Sequence, residues 1–232
     1  MSGPFLDAYT ALQARLKIVD VITNNLANAN TAGFKRDFAT ILQDEAGFDY
    51  AGTQADLAPG EIAATGNDLD VAINGPGFFV IDTPGGRRYT RMGSFNVNAA
   101  GELVTKDGMK VLSTSDTPIV IGDGKAEIRD GGVVTADGNE IATLKIVTFN
   151  DRSKIQKEGN SRFVWTGAPN GIQTVSDPSV KSAYLERSNV NAVDEMVHLM
   201  AAFREFEAVQ KSLKTLMSEM NDKLIQEFGK LG

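Results

Sequence analysis

The stretch VDEMVHLMAAFREFEAVQKSLKTLMSEMNDKLIQEF, Val193–Phe228, decides the fold. Starting from Met196, apolar or seam-tolerant residues recur at Leu199, Phe203, Phe206, Gln210, Leu213, Met217, Met220 and Leu224. Intervals of three and four alternate throughout, which is the rhythm of a helix packed lengthwise on another helix. The opposite end of the chain keeps the same beat at Phe5, Tyr9, Leu12, Leu16, Val19, Thr23 and Leu26. Two such seams at the two termini predict that the ends pair, with everything between them inserted into a helical hairpin. Neither helix is polar off its seam. Leu6, Ala8, Ala11, Ala14, Ile18, Val21 and Ile22 surround the first, and Val197, Met200, Val209, Leu216, Ile225 and Phe228 flank the second. A helix that is apolar nearly all round is buried nearly all round. Asp7, Arg15, Lys17 and Asp20 interrupt the first helix well short of the ~20 apolar residues that a membrane span needs. Burial among other protein chains is the remaining expectation, with termini that are largely unfolded in the monomer and become helical on assembly.

Composition narrows the function. The chain has 232 residues, 42% of them hydrophobic, which suits one ordinary domain with extensions or two small domains. A net charge of −7 and no local Lys/Arg cluster argue against a nucleic-acid partner. Without cysteine there are no disulfides, thiolate metal sites or thiol catalysis. The N-terminus MSGPFLDAYTALQARL lacks a basic region followed by an unbroken apolar core, so no cleaved secretory signal is expected.

Along the chain, Pro4 suits the opening turn of a first helix that runs to about Asn28, with Gly33 as a left-handed C-cap. Residues 36–66 lose periodicity. Phe38, Ile41 and Leu42 could extend a short helix or strand, and Asp44, Glu45, Asp49, Gly52, Asp56, Pro59 and Gly60 then read as an acidic, loop-rich linker. From Asn67 short strands take over. Phe78–Ile81 is a buried run, and Ala100-Gly101, Asp107-Gly108, Asp123-Gly124, Asp130-Gly131-Gly132 and Asp137-Gly138-Asn139 are hairpin signals. Glu140–Phe149 is expected to be the longest strand, with Leu144, Ile146 and Phe149 in the core.

The fold class is therefore α+β: a discontinuous terminal coiled-coil domain (1–30 and 188–232), a linker (31–66) and an inserted, mostly antiparallel β domain (67–187).

Chemistry finds little foothold. His198, the one histidine, flanks a heptad seam, where a solvated or interface role is expected. Gly75-Pro76-Gly77 lacks the Lys-Ser/Thr of a phosphate loop and the third glycine of a dinucleotide fingerprint, so a tight turn explains it better. Asp68 and Asp70 would face one side of a strand, without the aromatic surroundings of a glycosidase pair. No catalytic residue, metal or cofactor is expected.

Several motifs are long enough to carry a resemblance. Asn24-Asn25-Leu26-Ala27-Asn28, followed by Thr31, Gly33, Phe34 and Lys35, resembles the N-terminal signature of the bacterial flagellar axial proteins, the rod and hook family. Asp70-Val71-Ala72-Ile73-Asn74-Gly75-Pro76-Gly77-Phe78-Phe79 is similar to its central motif, and Tyr89-Thr90-Arg91 with Gly93, Ser94 and Phe95 to the next. Gly101-Glu102-Leu103-Val104 and Ser188-Asn189-Val190-Asn191 follow in family order. The resemblance implies a structural rod subunit with helices lining an inner tube and a β domain outside. It also implies passage through the flagellar type III export apparatus to the periplasm-spanning rod, where copies of itself and neighbouring rod proteins are the partners. The short interval between Lys35 and Asn67 favours the proximal-rod type over the distal-rod type. A secreted β-domain adhesin with an oligomerising helical stalk is the alternative.

The residues expected to matter fall into four groups: the N-terminal seam (Phe5, Tyr9, Leu12, Leu16, Val19, Leu26); a joint (Asn24, Asn25, Asn28, Thr31, Gly33, Phe34, Lys35); the β-domain motif (Asp70, Gly75, Gly77, Phe78, Phe79, Tyr89, Arg91); and the C-terminal assembly segment (Asn189, Asn191, and Met196 to Leu224 along its seam).

Overall fold

The computed structural model describes residues 4–43, 49–122 and 124–228. They form two compact units. The helical unit holds residues 1–27, 37–56 and 190–232, and the β unit holds 28–36 and 57–189.

In the helical unit, helix α1 (Pro4–Ala27) carries proline in its first turn, where the missing N–H costs nothing. Helix α2 (Ala192–Phe228) begins at Asn191, whose side-chain oxygen accepts from the amides of Val193 (3.0 Å) and Asp194 (3.4 Å). Asp194 and Glu195 in its first turn complement the positive end of the helix dipole. The helices pack against each other. Asn25 reaches Glu195 (3.4 Å), and Arg15 pairs with Glu205 (3.3 Å). Ten residues forward on α1 correspond to ten residues backward on α2, so the pair is antiparallel. That register sets Pro4 opposite about residue 216, so α2 continues roughly 12 residues, about 18 Å, beyond it.

Strands β1 (Asp37–Gln43) and β2 (Asp49–Ala55) pair antiparallel, Asp37 with Ala55 through Gln43 with Asp49. Both pack on α1. Strand β1 takes up the strand option open to Phe38, Ile41 and Leu42, and β2 corrects the loop-rich linker expected after them. Along β1, Asp37, Ala39 and Ile41 are half-buried while Phe38, Thr40 and Leu42 are exposed, a period of two that its four apolar residues in seven only hint at. Asp44 and Glu45 lie outside the described residues.

In the β unit, β3 (Ile62–Ala64) and β4 (Val71–Ile73) pair with the C-terminal strands Tyr184–Glu186 and Val180–Ser182. The largest sheet is built around β5 (Phe78–Thr83) and β6 (Gly86–Thr90). The pairings between named strands are all antiparallel. The core gathers Val71, Ile73, Phe79, Ile81, Phe95, Leu103, Ile128, Val134, Leu144 and Ile146, and edge-on rings Phe79 and Phe95 sit 5.3 Å apart. Asp137 (φ 50°) and Gly138 (φ 84°) link Ala136 to Asn139 with the two left-handed residues of a type I′ turn. Asp123 lies outside the described residues.

The expected long strand 140–149 is in fact two, Asn139–Thr143 and Ile146–Phe149, in different sheets. The break falls where Leu144 N–H turns to Gly132 O and the Lys145 side chain leaves to pair with Asp116.

Candidate functional site

The burial of the two helices reveals two seams where the sequence shows one. On α2 the covered line runs Glu195, Leu199, Ala202, Phe206, Val209, Leu213, Leu216, again at alternating intervals of four and three. The line one residue on, Val193, Met196, Met200, Phe203, Glu207, Gln210, Lys214, Met217, is exposed throughout. One residue is about 100° of rotation, so the exposed line is a second stripe beside the first. The seam read from the sequence straddles both. Its Leu199, Phe206 and Leu213 are half-buried, while Met196 (52%), Phe203 (47%), Met217 (53%) and Met220 (52%) remain open. The Leu224 side chain is not among those described.

On α1 the buried side centres on Ala14, Val21, Ile22 and Asn25. Of the expected N-terminal seam, Leu12, Val19 and Leu26 are half-buried, whereas Phe5 (40%), Tyr9 (46%) and Leu16 (37%) are exposed. The contact inside the chain uses small and polar residues, Ala14 and Ala202 with Asn25 and Glu195. Leu199, Phe206, Val209, Leu213 and Leu216 are half-covered beside them, whereas Phe5, Tyr9, Met196, Met200 and Phe203 are left outside. Among the described residues, the exposed large hydrophobics fall almost entirely in the helical unit; Val120, Ile141 and Tyr184 are the exceptions. Such concentration is the mark of an interaction surface.

The joint residues divide between the units. Asn25, 1% exposed, accepts the Asp37 N–H at 2.9 Å and donates to Asp37 O at 2.8 Å, so one amide closes both backbone groups of the first β1 residue. Asn24 lies exposed on α1. Asn28 and Thr31 form the turn after α1, Thr31 N–H to Asn28 O at 3.0 Å and hydroxyl to Asn28 Oδ1 at 3.1 Å. Gly33 has the left-handed conformation expected of it (φ 66°), but it does not cap α1, which ends at Ala27. Its N–H bonds Glu186 O (2.7 Å), and a Cβ there would sit 2.5 Å from Met92 N. Phe34 is buried under the Lys157 ammonium, 3.7 Å from the ring centre. Asn189 belongs to the β unit rather than to the assembly helix; it accepts the Arg36 N–H (2.7 Å) and donates to Ala58 O (3.1 Å).

Lys35 and Arg91 meet at a residue that sequence reasoning missed. Glu186, 1% exposed, takes Lys35 Nζ on Oε1 at 2.5 Å and Arg91 on Oε2 at 2.7 Å. Its Oε1 also accepts the Gly60 amide at 2.8 Å. Lys35 donates further to Ala58 O (2.6 Å), and Arg91 to Gly75 O (2.9 Å), Gly77 O (2.6 Å) and Ile73 O (3.2 Å). Segments 33–35, 58–60, 73–77, 91 and 186 are thus tied by one buried charge node. The glycines of the central motif serve as acceptors for Arg91, and Gly77 (φ 142°) also lets the chain pass Ile146, whose methyl a Cβ would meet at 2.7 Å. Phe78 packs on Phe149 and Phe163, and Tyr89 sits edge-on to Phe149 at 4.8 Å, its hydroxyl pKa pushed up by burial. Asp70 is 6% exposed, whereas Asp68 pairs with Lys125 at 3.0 Å, so the two carboxylates do not form a joint site. Lys35 and Arg91, the cations of two separate motifs, carry no sign in the sequence of the anion that joins them.

Comparison with known proteins identifies the family. Residues 6–35 match the family model of the flagella basal body rod protein. Residues 72–136 match that of the flagellar hook protein FlgE/F/G D1 domain, and 181–227 that of the flagellar basal body rod FlgEFG protein C-terminal region. The flagellar basal-body rod protein FlgF of Rhizobium meliloti is 32% identical, covering 95% of this chain and 97% of the relative. FlgF of Caulobacter vibrioides is also 32% identical, over 92% of each chain. FlgG of Bacillus subtilis is 34% identical, covering 90% of this chain and 91% of the relative. No helix among the described residues is long and apolar enough to cross a membrane. With its terminal and central motifs all matched in order, the chain belongs to the flagellar basal-body rod family that includes FlgF and FlgG.

Proposed function

We propose that this protein is a proximal-rod subunit of the FlgF type that builds the rod by burying its terminal helices against those of neighbouring subunits. The observation that carries this is the exposed apolar stripe on α2, with Val193, Met196, Met200 and Phe203 all about half exposed or more beside a seam already filled within the chain. An identical contact repeated from chain to chain propagates as an open helical array, which suits a drive shaft and the wall of an export channel. Long interlocked helices resist the shear of a transmitted torque over many side-chain layers at once. Methionines at the contact repack readily, which suits a surface that meets non-identical neighbours along the rod. The subunit reaches the rod through the flagellar export route, and its helical ends become fully ordered only when sister chains or other rod proteins cover them.

The FlgF assignment is supported by length. Alignments with FlgF relatives run 230–238 residues against a chain of 232, while those with FlgG relatives stretch to 244–261 and so carry more gaps.

Deleting residues 193–232 tests the reading. The β unit ends at residue 189, so its folding, followed through Trp165, is expected to survive along with export. Incorporation into purified basal bodies and swimming are expected to disappear. A truncated chain that still enters the basal body would defeat the proposal.

A further inference from the structure

From the geometry of the two exposed helical stripes we infer that the α2 outer stripe of one copy is covered by the α1 outer stripe of the next. The two would run antiparallel, with Leu16 opposite Val193 and Leu6 opposite Phe203. This rests on the assembly proposed above and specifies its contact.

Three features converge on it. On α1 an exposed line runs Leu6, Tyr9, Gln13, Leu16, Asp20, Thr23, Ala27, at the same alternating three and four. Its large apolar members are confined to residues 6–16. On α2 the outer line is apolar from Val193 to Phe203 and then polar at Glu207, Gln210 and Lys214. Both apolar blocks therefore span about ten residues, some 15 Å, and fit each other end to end. The stripes are also different surfaces of one chain. Pairing one with the other is heterologous, so it leaves a free stripe on each new copy and extends without limit, as pairing of like stripes would not.

Overlap excludes the register one step back, which sets Tyr9 on Val193 and leaves Leu16, Met200 and Phe203 uncovered. Desolvation excludes those further on. Antiparallel layers that keep the stripes facing are possible only at steps of seven residues. With Leu16 on Val193, Tyr9 meets Met200, Gln13 meets Met196, and both Asp20 and Glu207 fall outside the apolar block. One step further puts Tyr9 on Glu207 and Asp20 on Met196. Two steps put Leu16 on Glu207 and Asp20 on Phe203. Each of these buries carboxylates against apolar side chains without a cation, which is costly. Half-buried Leu12 and Leu199 flank the favoured layers and widen the apolar contact. Within one chain residue 15 lies opposite 205, whereas residue 16 of the neighbour lies opposite 193. Successive copies are thus displaced by about 11 residues, or roughly 16 Å, along the helix axis.

The chain has no cysteine, so no thiol of its own competes with introduced ones. In cells whose only source of the protein is a co-expressed pair of full-length variants, Y9C with M200C should give a disulfide-linked dimer under mild oxidation. Its yield should exceed that of Y9C with E207C or Y9C with K214C about tenfold. Equal or greater linking at 207 or 214, a dimer from Y9C alone, or M200C linked only to a protein of different mass would each overturn the inference. As a second measurement free of thiols, M200K should abolish incorporation into basal bodies while E207K leaves it within about twofold; the reverse order overturns the proposed contact. Absence of the unmodified chain from basal bodies would instead sink the rod assignment itself.

Discussion

Replacing Glu186 by glutamine removes one negative charge from a site that holds two positive ones and admits almost no water. Glu186 and Lys35 are each 1% exposed and Arg91 is 4% exposed. At 2.5 Å and 2.7 Å the two contacts have a gross attraction of about 6 kcal/mol each in an effective dielectric of about 20. Most of that offsets the desolvation of the three groups, so the node adds little net stability compared with an apolar cluster. Breaking it is another matter, because Lys35 and Arg91 then remain buried with no anion between them. The expected loss is about 3–5 kcal/mol, a large share of the 5–15 kcal/mol that holds a typical domain together. Urea unfolding followed through Trp165 measures this directly, since it is the one tryptophan of the chain and stacks on Phe149 at 5.0 Å within the β unit. The surface pair of Arg88 with Glu158 is the internal control, its carboxylate side chain 41% exposed. E158Q should shift the urea midpoint far less than E186Q, because an exposed pair is screened by solvent. If E186Q costs no more than E158Q, the node is solvated and its account as a buried knot is wrong.

Gly33→Ala should destabilise the β unit by about 2 kcal/mol or more in the same assay, because it combines a left-handed backbone with a Cβ driven onto the Met92 amide; a loss below about 0.5 kcal/mol would show that the loop simply moves aside. In a dilute solution of the isolated chain, amides of residues 217–228 should exchange with deuterium near the unprotected rate while those of Phe78–Ile81 exchange only on global unfolding. Equal protection of both would contradict ordering on assembly. Acid should act late. Asp116, held low by the hydrogen bond from Lys145, and Asp130, held low by the Ser182 amide, both have folded values below the ordinary 3.8. A depressed carboxylate contributes stability that is present above its unfolded value and is lost as pH falls through the folded one. The urea midpoint of the β unit should therefore change little from these groups between pH 7 and pH 5 and fall below about pH 4; D130N should remove part of that fall.

The heptad rhythm is legible because period is a property of spacing, and spacing survives any rotation of the helix. Rotation itself is not legible here. With Leu6, Ala11, Ala14, Ile18 and Val21 apolar off the expected seam, a shift of one residue leaves a comparable pattern, and the eye settles on the largest side chains. Those large side chains, Phe5, Tyr9, Leu16, Met196 and Phe203, are the ones the single chain leaves uncovered. Asn25 and Glu195 look unpromising in a list of letters, yet their side chains help set the register of the pair and anchor β1 to it. Pairing of β1 with β2 was likewise hidden, since a two-stranded ribbon that leans on a helix needs only a weak alternation of its own. Glu186 was hidden for a different reason: a buried carboxylate has no local signature, and its two cationic partners lie about 95 and 150 residues away in the chain. The hidden features share a cause, in that each depends on which partner a residue meets and not on its neighbours in sequence. Bulky apolar residues advertised the seam, and about half of them, Phe5, Tyr9, Leu16, Met196 and Phe203 among them, are spare inside the chain. The strongest periodic signal in the sequence thus falls in large part on side chains that one molecule leaves uncovered.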